Sequence, residues 1–285
     1  MEKICWANTD SFNESEFVII GIPDESQSHA LRKGTEEAPS KIRQISNLRD
    51  SYERNEKTFL GRPFQGSEKK VHDIGDIDRN RIESLYDKIS TSSKIPISIG
   101  GDHSITNQII NSMAKNYGKI SLVYFDAHPD FVSSTTNYYG SVITDILSSI
   151  EIKSSVQIGI RTPEQEELEN IKKYDLTVIT PFDIAEHGIK KIANSILDKL
   201  GDNVYISLDM NCIDPAYAPG VSVPVPAGLS STDTIYLLQK IVKRGIIGID
   251  IMEVCPSFDI KDRTSHLASR IISEVLYSSG ESKLV

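Results

Sequence analysis

Residues 95–104 read IPISIGGDHS: an apolar, β-branched run from Ile95 to Ile99 passes directly into Gly100-Gly101-Asp102-His103-Ser104. A short, continuously apolar run fits a strand buried on both faces. Charged residues placed straight after such a strand are costly without partners. Two further stretches repeat the arrangement. Ile120 to Phe125 runs into Asp126-Ala127-His128-Pro129-Asp130, and Val204 to Leu208 runs into Asp209-Met210-Asn211-Cys212-Ile213-Asp214-Pro215. Three polar strand ends in one chain point to a shared site.

Five other runs complete the pattern: Phe17 to Gly21, Val71 to Ile74, Ser155 to Ile160, Leu176 to Ile179 and Ile246 to Ile251. Helix-like stretches lie between most of them. Ile105 to Tyr117, Ile189 to Leu200, Thr232 to Lys243 and Thr264 to Tyr277 carry apolar residues at helical spacing. Ser231 and Thr232 are placed to cap the third. Ser28 to Phe64 is polar, with one helix expected over Ala38 to Asn55. Strand and helix alternate from end to end, which predicts an α/β fold: one parallel sheet with helices on both faces, in a single domain spanning 1–285. In open sheets of this kind, ligands bind beyond the carboxyl ends of the strands. All three polar clusters fall there.

Composition narrows the partners. The chain carries 40 acidic and 31 basic side chains, a net charge of −9. That balance suits a small cationic ligand and argues against nucleic acid, which needs clustered Lys and Arg. Cys5, Cys212 and Cys255 have neither zinc-cluster nor CxxC spacing, so they read as idle thiols in a reducing compartment. Met1 to Asn13 lacks the apolar core of a signal peptide. No apolar run reaches the roughly 18 residues that span a bilayer. The expected setting is the cytoplasm, away from membranes.

Asp126, His128 and Asp130 alternate along extended chain, so their side chains leave on one side. Carboxylates with a few imidazoles suit manganese better than zinc or copper. This many candidate ligands fits two ions, which at roughly 3.5–4 Å can share and acidify a water. Each piece has a bland alternative. GGDHS alone is a turn with Asp102 or Ser104 as helix cap, and Asp-x-Asn-x-x-Asp-Pro alone is an Asx-turn. Their joint occurrence, each after a strand, favours the site. His29, His72, His187 and His266 stand outside the clusters and read as non-ligands.

The sequence resembles the ureohydrolase family of arginase, agmatinase, guanidinobutyrase and formimidoylglutamase. The signatures GGDHS, FDAHPD and SLDMNCIDPAYAPG occur in order. Gly21-Ile22-Pro23, Gly159-Ile160-Arg161, Pro219-Gly220-Val221, Gly228-Leu229 and Asp250-Ile251-Met252-Glu253-Val254 extend the likeness over nearly the whole chain. The resemblance implies a three-layer α/β/α sandwich on an eight-stranded parallel sheet. It implies His103, Asp126, Asp130 and Asp209 as ligands of one Mn2+, and Asp126, His128, Asp209 and Asn211 as those of another. It gives Glu253 the guanidinium, and gives Asp130 the transfer of a proton to the departing amine. It also implies a homo-oligomer, a trimer or hexamer.

Two positions depart from the family pattern. Asn211 stands where the family has Asp, so the second ion should be held more weakly. The family histidine that follows DAHxD is missing from Asn137-Tyr138-Tyr139-Gly140-Ser141. Phe131 and the overall length look more like agmatinases than arginases. The leading expectation is hydrolysis of agmatine to putrescine and urea. The alternatives are guanidinobutyrate, arginine or formimidoylglutamate as substrate, or a metal-binding but catalytically impaired member. A zinc deacetylase is disfavoured by GGDHS and by Asp214-Pro215 with Pro219-Gly220.

Overall fold

The computed structural model describes residues 2–48, 53–54, 57–58 and 69–279. In chain order the elements are β1 (Phe17–Ile22), α1 (Ala38–Ser46), β2 (Glu53–Arg54), β3 (Lys57–Thr58), β4 (Val71–Asp76), α2 (Ile82–Thr91), β5 (Ile95–Gly100), α3 (Ile105–Tyr117), β6 (Ser121–Phe125) and α4 (Val142–Ile146). There follow β7 (Val156–Ile158), α5 (Gln165–Tyr174), β8 (Thr177–Ile179), α6 (Pro181–His187), α7 (Ile189–Lys199), β9 (Val204–Asp209), α8 (Ser231–Arg244), β10 (Gly248–Met252) and α9 (Arg263–Ser278).

Eight strands form one sheet in the order β4-β1-β5-β10-β9-β6-β7-β8. Every pairing in it is parallel. Alternate strand residues feed two separate cores. Phe17, Ile19, Ile97 and Ile206 pack with Ile42 of α1, Ile196 of α7, Leu238 of α8 and Ile272 of α9. Val18, Ile20, Leu122 and Tyr124 pack with Tyr86 of α2, Ile109 of α3 and Ile146 of α4. Period-two alternation thus produces the two helical layers. The buried strands read as unbroken apolar runs because both faces are covered.

The strand order positions the site. After β5 the chain crosses to β6 and leaves a gap that β9 and β10 fill later. Three of the four central strands, β5, β9 and β6, carry the polar clusters at their carboxyl ends, and Glu253 follows the fourth, β10; this is the switch point where open α/β sheets hold ligands.

Two local expectations need correction. The helix expected to reach Asn55 ends at Ser46, where Asn47 and Leu48 turn back onto the carbonyls of Gln44 and Ile45. Glu53–Arg54 pairs antiparallel with Lys57–Thr58 instead, and the rest of 49–68 lies outside the described residues. Helix α8 is capped by Ser230, one residue before the expected pair. Its Oγ accepts the Asp233 N–H at 3.0 Å, and extended φ/ψ at Ser230 lets the helix start at Ser231.

Away from the site, α1 is fastened to the sheet edge by a buried ion pair. Arg43 donates through Nε (2.8 Å) and Nη2 (2.9 Å) to Asp73 of β4, and through Nη1 to Asp76 (2.5 Å). Asp73 also accepts the N–H groups of Ile4 (2.8 Å) and Gly75 (2.9 Å). Removing one partner of such a buried pair leaves an uncompensated charge, so Asp73→Ala should cost about 3–5 kcal/mol. Chemical denaturation would check it. A loss within experimental error would mean that the pair does not hold the edge.

Candidate metal centre

Strand β5 delivers His103 through a tight bend. A Cβ on Gly101 would lie 1.9 Å from the Asp24 carbonyl oxygen, so only glycine lets the two backbones approach. Asp102 serves this bend and not the cluster: its carboxylate accepts the N–H of Ser104 (2.9 Å) and of Gln27 (3.1 Å). His103 then begins the turn into α3 with its side chain fully buried.

The three strand ends meet at that imidazole. His103 Nδ1 lies 3.0 Å from Asp126 Oδ2, 3.5 Å from Asp130 Oδ2 and 3.6 Å from Asp209 Oδ2. One ligand-type atom each from His103, Asp126 and Asp130 falls within 4.8 Å of the others. His128 sits outside them, with Nδ1 3.2 Å from Asp126 Oδ1 and a quarter of its side chain exposed. Asn211 lies next to Asp209, its Oδ1 accepting the Ala127 N–H at 2.8 Å and its Nδ2 donating to Asp209 Oδ2 at 2.8 Å. Glu253, buried after β10, reaches the same place: its Oε1 accepts the His103 N–H at 2.8 Å, and Ser222 Oγ donates to its Oε2. Among the described residues, the group of ligand-type atoms around His103 includes none of His29, His72, His187 and His266.

Reasoning from sequence missed several residues that frame it. Tyr124 stacks on His103, ring centroids 4.7 Å apart and nearly parallel. Its hydroxyl donates to Asp130 at 2.5 Å and lies 3.0 Å from His103 Nδ1. Ser207 Oγ lies 2.8 Å from His103 Nε2 and donates to Asp250 at 2.7 Å. Thr106 and Tyr205 donate to the other Asp250 oxygen. Tyr124 and Ser207 each precede an acid of the site by two positions on a strand, so both share its face. That parity was the available signal.

Charge crowding dominates the electrostatics. Burial, then repulsion from Asp126, pushes Asp130 up to about 8 and Asp209 up to about 6. Burial disfavours the charge on Asp126 too, yet hydrogen bonds with His103 and His128 hold it below the usual carboxylate range. Against burial, Asp126 raises His128 to about 9. Burial, then Asp209, lifts Glu253 well above its ordinary range. Arg161, close enough to feel Asp126 and Asp209, is spent on carbonyls: it donates to those of Gly159, Asn211, Cys212, Val225 and Pro226 and so pins the loop after β9. A cluster so rich in carboxylates is chemically suited to a divalent cation.

Two of the acids stand on unusual backbone. Asp130 (φ 46°) and Glu253 (φ 66°) occupy the left-handed region. The Asp130 carbonyl accepts the Ile143 N–H at 2.9 Å, and the Glu253 N–H donates to Gly101 O at 3.0 Å. Such outliers persist where surroundings enforce them, and they concentrate at functional sites. Nearby, Tyr138 stacks with His29 at 5.2 Å between centroids, and Tyr139 meets both rings edge-on. A Cβ on Gly140 would lie 2.8 Å from the Tyr138 ring, so glycine admits this fold-back.

A family model described as "Arginase family" matches residues 15–277. Agmatinase of Neisseria meningitidis serogroup C is 32% identical, with 95% of this chain and 89% of that protein covered. The crystal structure of agmatine ureohydrolase of Thermoplasma volcanium is 31% identical and superposes with a TM-score of 0.85 over 98% of this chain and 94% of that one. Formimidoylglutamase of Bacillus subtilis, 27% identical, gives 0.83 over 95% and 88%.

The raised Asp130 has a consequence for stability. Its folded-state pKa lies above the ordinary value of 3.8, so its contribution to stability is complete below that value and is lost as pH rises through about 8. With chelator present, Asp130→Asn should raise the melting temperature at about pH 8.5 and change it little at about pH 5. Thermal unfolding of both forms at both pH values is the measurement. An equal shift at the two would rule out charge repulsion at Asp130.

Proposed function

The chain belongs to the arginase family, and we propose that it hydrolyses agmatine to putrescine and urea, a step of polyamine formation. The observation that carries this reading is the convergence of His103, Asp126, Asp130 and Asp209, with Glu253 beside them, at the switch point of the sheet. The agmatinase relatives favour agmatine among small cationic guanidino compounds. Among the described residues, no helix is long and apolar enough to cross a membrane; a cytoplasmic setting is part of the proposed reading. A trimer or hexamer is the assembly that the family likeness suggests.

The donor set fits a divalent ion at the inner position. His103, Asp126, Asp130 and Asp209 would hold it, and their mix of carboxylate and imidazole suits Mn2+. When bound, the ion supplies the Lewis acidity that makes water a nucleophile near neutral pH. His128 and Asn211 would flank a second ion. The remaining chemistry belongs to the chain. Glu253 presents a buried carboxylate to the planar guanidinium and orients it. Water adds to the guanidinium carbon, forming a C–O bond, and the bond from that carbon to the alkyl nitrogen breaks. With a cation offsetting the repulsion around it, Asp130 would be ionised: it takes one proton from the attacking oxygen and gives it to the departing nitrogen, and the oxygen's second proton passes to the freed amine, leaving neutral urea and an alkylammonium ion. Its left-handed backbone and the Tyr124 hydroxyl fix the carboxyl in place for that transfer.

A second reading, a metal-binding member with little turnover, is favoured by Asn211 and by Tyr139 standing directly before Gly140, where a histidine was expected. A screen with added manganese separates the readings: urea from agmatine, guanidinobutyrate and arginine, and formamide from formimidoylglutamate. Urea from agmatine above all is the expected result. No turnover of any of the four would sink the hydrolase reading. Glu253→Gln should lower turnover by about 100-fold or more, the usual cost of one transition-state contact, while metal content stays nearly unchanged. Full activity in that variant would remove Glu253 from the reaction.

A further inference from the structure

The Asn211 side chain is held in one orientation by a neighbour that accepts no substitute. Its Oδ1 receives the Ala127 backbone N–H at 2.8 Å. A backbone N–H bonds only to an acceptor, and an amide has one acceptor atom. Turning the amide over would set its NH2 against the Ala127 N–H and leave a buried donor unpaired. The backbone on both sides is fixed as well. The Asn211 N–H donates to Asp209 Oδ1 at 2.6 Å, the Asn211 carbonyl accepts Arg161 Nη2 at 2.8 Å, and the Ala127 carbonyl accepts the Arg161 N–H at 2.9 Å. Asn211 is buried, so water does not compete for these bonds.

The orientation decides what the side chain shows the cluster. Asn211 Nδ2 stands between Asp209 Oδ2, at 2.8 Å, and His128 Nδ1, at 3.2 Å. Those are two of the atoms that would flank the outer ion. An amide NH2 carries two N–H bonds and no lone pair free for a cation.

We propose that Asn211 closes the outer metal position, so that this chain holds a single divalent ion at the inner one. This rests on the metal-centre reading above and deepens it. The amide does more than ligate weakly: its N–H groups occupy the space between Asp209 and His128 and satisfy the Asp209 oxygen that a second ion would otherwise neutralise. A carboxylate at the same position, with one oxygen on the Ala127 N–H, would turn its other oxygen toward that space.

The test is manganese binding by the intact chain. Wild type and Asn211→Asp are loaded with manganese and dialysed, then assayed for metal per chain and for magnetic coupling by electron paramagnetic resonance. The wild type should keep one ion with the spectrum of isolated manganese, also when titrated with excess metal. Asn211→Asp should bind a second, coupled ion more than about 100-fold more tightly than wild type, beyond what changing a mere outer partner does. A coupled pair in the wild type would overturn the closure and leave the metal-centre reading standing. One ion in both forms would overturn the role of Asn211. No ion in either would sink the metal-centre reading with it. If Asn211→Asp does not fold, the wild-type titration alone decides.

Discussion

Three carboxylates gathered around one buried imidazole set the terms for everything near them. Asp126, Asp130 and Asp209 all aim an oxygen at His103 Nδ1, and burial leaves little water to screen them. The cluster answers with unequal charge: Asp126 stays ionised on its two histidines, and its neighbours are pushed toward the protonated form. The permanent charge of Arg161, which feels Asp126 and Asp209, is committed to backbone carbonyls. The negative charge is therefore left for a ligand, and the rest of the site can be read as what holds these groups together against their repulsion.

That holding is done by backbone and by register. Asp130 and Glu253 sit in left-handed conformations, each tied by a backbone hydrogen bond, and Gly101 lets β5 pass close under Asp24. The strand pairing adds a row beneath the cluster. Tyr124 of β6 is in register with Ser207 of β9, Ser207 with Asp250 of β10, and Asp250 with Ser98 of β5. Aligned residues of parallel strands share a face, so the four central strands contribute one residue each to a single polar rung. The rung is closed at its far end by Tyr86 of α2, whose hydroxyl lies 2.5 Å from Ser98 Oγ.

The sequence was most legible where one signal had one cause. All eight apolar or β-branched runs became strands of the one sheet, and the continuously apolar ones, such as Phe17 to Gly21, are buried along their whole length. The three polar strand ends were visible because acids after apolar runs are rare without a reason. What stayed hidden depended on pairing between distant segments. Ser207 and Asp250 are ordinary strand residues until register sets them side by side beneath His103. Nothing in the local sequence of Asn211 says which end of its amide faces inward, because the Ala127 N–H that decides it lies 84 residues away. The α8 cap was misplaced by one residue because Ser230, Ser231 and Thr232 are all able caps, and only backbone φ/ψ selects among them.

The polar rung also accounts for which nitrogen of His103 meets the acids. Asp250 accepts from Ser207, Thr106 and Tyr205, so the single Ser207 proton is committed to it. Ser207 Oγ then faces His103 Nε2, at 2.8 Å, as an acceptor, and Nε2 carries a proton. Nδ1 then bears the proton shared with Asp126, and its loss to an incoming cation would free the Nδ1 lone pair among three carboxylate oxygens, the arrangement expected of a metal ligand oriented by an outer carboxylate. Tyr124 limits its rotation by stacking on the ring. Asp250 thus acts on the cluster from two bonds away, and its buried charge is tolerable because three hydroxyls surround it. The cost of an acid in the middle of the sheet and the orientation of the site are settled by the same hydrogen bonds.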